Sequence, residues 1–182
     1  NKILSAQVDD TLHDEISQKL SAKAAEYGQQ IAGFINEAYR IPFSFSGMVE
    51  YTAQNDPLDR SKLEALLVAN LRKNAQISSM YAQFEANGYD GRDSDYLQNF
   101  SHSVPDNGGL EIYYTRNDDG STEHQQVDDA EEKYVDTLNE FGIREAEWYL
   151  CVKDTKKPCL MEPYLYEITP GNNALMTSLT VP

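Results

Sequence analysis

Basic residues are scarce in this 182-residue sequence: fifteen Lys and Arg stand against thirty Asp and Glu, a formal charge of −15. A field of that sign repels nucleic acid and anionic lipid surfaces, so nucleic acid is not an expected partner. No run of eighteen apolar residues occurs, which leaves no stretch able to cross a membrane as a helix. Nor does a basic leader with an apolar stretch follow Asn1, and the chain reads as a mature fragment of a longer protein. Phosphate-cradling glycine loops, G-x-S-x-G and H-E-x-x-H are missing, which removes the common signatures of nucleotide, hydrolase and zinc-peptidase chemistry. His13, His102 and His124 fall on a helix face, in a loop and in a hairpin strand, and each reads as a surface residue rather than a general base. With thirty carboxylates, a chance pair such as Glu147 and Glu162 carries no glycosidase signal. Two cysteines, Cys151 and Cys159, make at most half a zinc site and have no histidine beside them. Catalysis, a bound metal and a cofactor are therefore not expected.

What is present describes one globular domain of ordinary size, 40% hydrophobic and 25% charged. Asp9 or Asp10 opens a helix that runs to about Arg40, with Leu12, Ile16, Leu20, Ala24, Tyr27, Ile31, Phe34 or Ile35, and Ala38 on one apolar stripe. Such a stripe suits either a dimer seam or a spine laid against a sheet. Pro42 is expected to interrupt or kink the helix, and a second helical piece reaches about Thr52. Asp56-Pro57 or Asp59 then starts another helix, buried through Leu63, Leu66, Leu67 and Leu71, with Arg72 and Lys73 at its C-terminal end. Ile77–Glu85 reads as the first strand, with alternation imperfect enough that both faces are covered. Asp90, Arg92, Asp93 and Asp95 cluster in the loop after it. EF-hand spacing is absent, so a solvated loop with a local Arg–Asp pair is expected there. Gly109–Arg116 and Ser121–Val127 form a hairpin around Asn117-Asp118-Asp119-Gly120, with Tyr114 on one face and Tyr113 on the other. Asp128–Phe141 reads as an acidic helix.

The densest stretch is Arg144–Val181. Glu147–Val152, Cys159–Glu167 and Ala174–Val181 are rich in aromatic and apolar residues and separated by short turns, so they read as an antiparallel meander. Trp148, Tyr149, Tyr164 and Tyr166 then fall on adjacent strands, where rings with polar tips suit a small-molecule pocket or an ordinary core. Arg144 is the nearest cation and would suit a ligand carboxylate; the alternative is an exposed pair with Glu140 or Glu145. Cys151 and Cys159 face each other across one hairpin, as a disulfide or as two small buried hydrophobes. Helices segregated from a mostly antiparallel sheet make the class α+β. Residues 1–58 supply the long helix and its kinked continuation, and 59–182 supply the lobe.

Trp148-Tyr149, Glu162-Pro163-Tyr164 and Leu175-Met176-Thr177-Ser178 running to Val181-Pro182 resemble the ligand-binding lobe of double Cache sensor domains. The likeness extends to the long first helix, the strand around Ile77–Glu85 and the Tyr89–Asp93 loop. It implies a PAS-like sheet of five or six strands beside the helix. It also implies a periplasmic sensor lobe of an inner-membrane chemotaxis receptor, or of a histidine kinase or diguanylate cyclase. The partners it implies are a small-molecule ligand and a second copy paired through the long helix, with the membrane reached only by segments outside this chain. For a binding lobe the residues themselves offer Trp148 and Tyr149 as flat walls, Tyr164, Tyr166, Tyr113 and Tyr114 as orienting hydroxyls, and Arg144 as the nearest cation. The extracytoplasmic placement favours a disulfide between Cys151 and Cys159. The family's amino-acid-sensing branch carries a Tyr seven residues before the Trp, an Arg two before it, and an Asp two after Pro-Tyr. Here those positions hold Phe141, Ala146 and Tyr166. The platform matches but the amino-acid clamp does not, so common L-amino acids are expected to bind weakly. A neutral, singly charged or amine-bearing metabolite is expected instead.

Overall fold

Leucines at 63, 67 and 71 recur one turn apart, share one helix face and are fully buried. Each contributes about 1.5–3 kcal/mol by leaving water. Their helix, α2 (Arg60–Lys73), begins at Asp59, whose carboxylate accepts from the Ser61 amide at 3.0 Å, and ends on Arg72 and Lys73. The structure, a computed structural model, describes residues 2–169 and 171–182, with side chains from Thr11 onward except those of 166–169, 172 and 174.

An antiparallel sheet lies against α2, formed by β1 (Ser79–Gln83), β2 (Glu111–Arg116) and β3 (Thr122–His124) in that spatial order. The β2–β3 turn is the one the sequence predicts: the Asn117 amide donates to the Ser121 carbonyl at 2.9 Å, and Gly120 takes a φ of +83°. The register pairs Tyr81 with Tyr113 and Gln83 with Glu111, and directly opposed residues share a face. Met80 and Ile112, with Ala82 and Tyr114 at the margin, therefore meet α2 in the core, joined by Phe45 and Val49 of the long helix. Ser79, Tyr81, Gln83, Glu111, Tyr113 and Thr115 take the opposite face.

The long helix, α1 (Lys2–Asn55), is continuous, and the break expected at Pro42 does not occur. Burial of Phe45 and Val49 in the core holds the helix past the N–H that Pro42 lacks. Asn1–Arg40 forms one compact unit and Ile41–Pro182 a second. In the first unit the apolar stripe is exposed: Leu12, Ile16, Leu20, Tyr27, Ile31 and Phe34 all keep about half or more of their surface.

Two segments differ from expectation. Glu147–Thr155 is a helix, α3, not a strand. Glu147 in its first turn and Lys153 in its last suit the macrodipole, and it stops on Lys156 in the left-handed conformation (φ +56°). Asp128–Phe141 is not helical beyond a 3-10 turn at Glu132–Tyr134. The Asn139 side chain accepts from the amides of Phe141 and Ile143, Gly142 takes a φ of +75°, and Leu138 bridges to Arg144. That turn chemistry sends the chain back on itself and leaves Leu138 and Phe141 exposed.

Beyond α3 the chain forms one interrupted hairpin rather than a three-stranded meander. β4 (Cys159–Leu160) pairs with β7 (Leu179–Thr180), and β5 (Tyr164–Thr169) pairs with β6 (Asn172–Met176). Pro163, which has no N–H to give a ladder, lies in the gap. The expected sheet of five or six strands is thus three strands plus two separate pairs among the described residues. The class is α+β, with a long N-terminal helix and an antiparallel sheet.

Candidate functional site

The face of the sheet turned away from α2 is where polar and aromatic side chains converge. Tyr81 meets Tyr113 edge-on at 6.3 Å and Trp148 of α3 edge-on at 5.6 Å, and Trp148 meets Tyr149 at 5.9 Å. Edge-to-face rings at these separations attract through their quadrupoles. Backbone contacts fix α3 over this region: the Ala146 amide donates to the Val135 carbonyl at 3.0 Å, and both Ala146 and Leu150 are buried. The Cys151–Cys159 disulfide (S–S 2.06 Å) fastens the other end of α3 to β4. The two cysteines come from a helix and a strand, not from facing strands of a hairpin.

Charges near this face are already paired. Lys133, only 4% exposed, donates to the carbonyl of Phe84 at 2.7 Å and to the buried Glu111 carboxylate. Burial pushes the Glu111 carboxyl up, against the pull of Lys133. Glu85, just after β1, accepts from Tyr149 at 2.7 Å and Tyr134 at 2.8 Å and pairs with Lys153 at 3.1 Å. Partial burial works against its charge, but the bonds from Tyr149, Tyr134 and Lys153 win and hold it below the usual carboxylate range. The phenol of Tyr134 is pushed up to about 12 by burial and by that same carboxylate.

The sequence-predicted residues divide. Trp148, Tyr149 and Tyr113 gather around Tyr81, with the Tyr149 hydroxyl committed to Glu85. Tyr164 is partly exposed and hydrogen-bonds Ser178 at 3.0 Å. The side chain of Tyr166 lies outside the described residues. Tyr114 does not join the group: it packs at the core face, and its hydroxyl donates to Glu64 at 2.8 Å. Arg144 does not join it either, because its guanidinium is held by Glu147 at 2.5 Å and Asp154 at 2.7 Å, a different pair from the Glu140 or Glu145 expected. Tyr81 and Gln83 belong to the alternating pattern of the first strand, yet nothing in that pattern sets them apart as site residues.

A second buried polar centre also escapes the sequence. Arg60, fully buried, directs all five of its N–H donors to partners: Asp90 twice (2.8 and 2.7 Å), Asp93 (2.7 Å), the Ser103 hydroxyl (3.0 Å) and the Gly108 carbonyl (2.6 Å). Its guanidinium also covers the Tyr96 ring at 4.2 Å. Burial alone would lower its pKa, but the hydrogen bonds to Asp90 and Asp93 raise it. The expected local pair exists between Arg92 and Asp95 at 2.8 Å, whereas Asp90 and Asp93 turn inward instead of forming a solvated cluster. One signal is available: an arginine in the first turn of a helix opposes the macrodipole and needs carboxylates nearby. His102 is likewise buried, not on the surface, stacked on Phe100 at 5.2 Å with Nδ1 2.8 Å from the Ser103 hydroxyl. A cleft of about 260 Å³ lined by Asp56, Pro57, Leu58, Asp59, Asp90, Arg92 and Tyr96 lies beside this centre.

No protein-family model matches the chain. It is 25% identical over 179 residues to the methyl-accepting chemotaxis protein TlpQ of Pseudomonas aeruginosa strain PAO1, a match that covers 94% of this chain and 25% of that protein. Among solved structures it resembles methyl-accepting chemotaxis protein X, with a TM-score of 0.64, 23% identity, and coverage of 89% of this chain and 54% of the other. It also resembles the extracellular domain of mmHK1S-Z2, assigned as a histidine kinase, with a TM-score of 0.64, 23% identity and coverage of 86% and 51%. The chain thus spans about a quarter of the curated relative and about half of each of these structures. Its fold is that of the extracellular sensor domains of chemotaxis receptors and histidine kinases, consistent with a Cache sensor domain.

Proposed function

We propose that this chain is a ligand-sensing lobe of a chemotaxis receptor, facing the periplasm, that binds a small polar metabolite between the sheet's polar face and α3. The observation that carries this reading is the convergence of Tyr81, Tyr113, Trp148 and Tyr149 on a face whose reverse is already filled by the leucines of α2. An ordinary core has no need of a second aromatic layer rimmed by paired charges. Ligand binding signals only if it favours one of two arrangements of the lobe. A route for that bias runs from α3 through the disulfide to β4, across to β7, and on to the Pro182 carbonyl, which accepts from Ser46 of α1. Output then passes to a membrane helix and a signalling module outside this chain, with no catalysis in the lobe itself.

The exposed stripe on α1 supports pairing with a second copy. It equally favours the alternative of an interaction module whose aromatic face is mere packing. Thermal unfolding against a metabolite library separates the two. A true ligand at a hundred times its dissociation constant adds about 2.7 kcal/mol, and Tyr149→Ala abolishes that gain while the protein stays folded. An equal ligand response in the variant overturns the site, and a library without any stabiliser favours the interaction module.

A further inference from the structure

Two buried polar side-chain atoms among the described residues have no hydrogen-bond partner: the Tyr81 hydroxyl and the Gln83 side-chain carbonyl oxygen. Native proteins satisfy nearly all such atoms, so two orphans together need a reason. They are two positions apart on β1, hence on one face, about 7 Å from each other along the strand. That face is the one beneath Trp148. The Ser178 hydroxyl lies close enough to pull the Tyr81 phenol down against burial, but not in hydrogen-bonding geometry with it; its bond at 3.0 Å is to Tyr164. Burial pushes that phenol well above its ordinary value, so it stays protonated and keeps a hydrogen to donate.

The charged groups around the orphans are engaged with one another. Lys133 holds Glu111, Lys153 holds Glu85, and Arg144 holds Glu147 and Asp154. A ligand carboxylate or ammonium would have to break one of these pairs to find a partner, leaving the displaced charge uncompensated. An uncharged group makes no such demand. We propose that the ligand is an uncharged metabolite, of the amide, lactam or nucleobase class, that accepts a hydrogen bond from the Tyr81 hydroxyl, donates one to the Gln83 carbonyl oxygen and packs against Trp148. Turning the Gln83 amide over would exchange acceptor for donor and leave the demand for a neutral partner unchanged. This inference rests on the sensor reading and narrows it from a small polar metabolite to a neutral donor–acceptor compound.

The test uses matched probes that differ in charge: nicotinamide against nicotinate and 3-(aminomethyl)pyridine, and uracil against orotate, within a wider panel of amides and nucleobases. Thermal shift is read on the wild type, Tyr81→Phe and Gln83→Leu, and calorimetry follows on every stabilising compound. The expected result is that only uncharged members raise the wild-type midpoint. Tyr81→Phe then weakens their binding at least tenfold, while its own ligand-free midpoint equals or exceeds that of the wild type. Stabilisation by a carboxylate or an ammonium compound overturns the inference and leaves the sensor reading standing. Undiminished affinity in both variants does the same. A lowered ligand-free midpoint in Tyr81→Phe shows that the hydroxyl had a partner after all, and also overturns it. Silence of the whole panel against the wild type overturns the inference, and the sensor reading falls with it only where the full metabolite library also yields no stabiliser.

Discussion

Arg60 and the hydroxyl of Tyr81 are both buried in the same lobe, and they meet burial in opposite ways. Arg60 arrives with five donors and finds an acceptor for each, at distances of 2.6 to 3.0 Å. Even its backbone surroundings are fitted: Gly108, whose carbonyl takes one of those bonds, has a φ of +77°, and a Cβ there would lie 1.9 Å from the Asp93 carbonyl oxygen. Tyr81, on β1, has rings on two sides and nothing for its oxygen. The first arrangement is what a scaffold requires, since a buried charge without partners is intolerable. The second costs stability in the empty protein and is useful only to something that arrives later. Completeness of hydrogen bonding thus separates support from site better than residue type does.

The largest effect should come from the complete network. Arg60→Met leaves Asp90 and Asp93 inside without their cation and should cost about 3–5 kcal/mol, read as a lower urea midpoint. Stability near that of the wild type would dissolve the contrast. Leu67→Ala supplies the apolar yardstick: a fully buried leucine truncated in a packed core should lose about 2–5 kcal/mol in the same assay. Removing the disulfide with Cys159→Ser should cost about 2–3 kcal/mol, as expected for releasing a loop of this length. Hydrogen exchange should place the loosening in α3 and β4 while α2 remains protected.

A pH profile sharpens the comparison further. Burial pulls the His102 imidazole below its ordinary value of 6.5, so the folded state resists its protonation. The unfolded chain then binds the proton more readily. The associated stability is fully present above about 6.5 and is lost as pH falls from there through the lower folded value. Denaturation midpoints of the wild type and His102→Phe, compared between pH 8 and 5, should converge or cross on the acid side. The smallest effect belongs to the orphan: Tyr81→Phe should change ligand-free stability by about 1 kcal/mol or less, in the stabilising direction or not at all.

Where period and turn chemistry are local, the amino-acid sequence is a good guide. Leu63, Leu67 and Leu71 behind Asp59 specify α2, and Asn117–Gly120 specifies the hairpin. The α3 segment misleads for a physical reason: Glu147–Val152 is a short apolar run that fits a buried strand as well as a helix. Its stop signal is a lysine, not a glycine, in the left-handed region. The 128–141 segment misleads in the opposite sense, since Tyr134, Leu138 and Phe141 fall at helical spacing although two of them face solvent. The site is the least legible part. Trp148 and Tyr149 stand out as an aromatic pair, but Tyr81, which meets Trp148, and Gln83 on the same face of β1 come from another element and are placed by tertiary packing. Whether a tyrosine hydroxyl finds a partner is written nowhere in the sequence.

The bond between Cys151 and Cys159 divides how the molecule comes into being. The leucine core needs no oxidant and can assemble as soon as the chain is free to collapse. The outer end of α3, and with it the link to β4 and β7, is tied down only once two thiols have been converted to a disulfide, whereas Trp148 stands at the end already held through Ala146. A preparation can therefore be folded by circular dichroism and still contain a mixture of molecules with and without the covalent link from α3 to β4, in a ratio set by redox history. Any response passed from α3 to β4 would then follow the thiol content of the sample, not its folding yield.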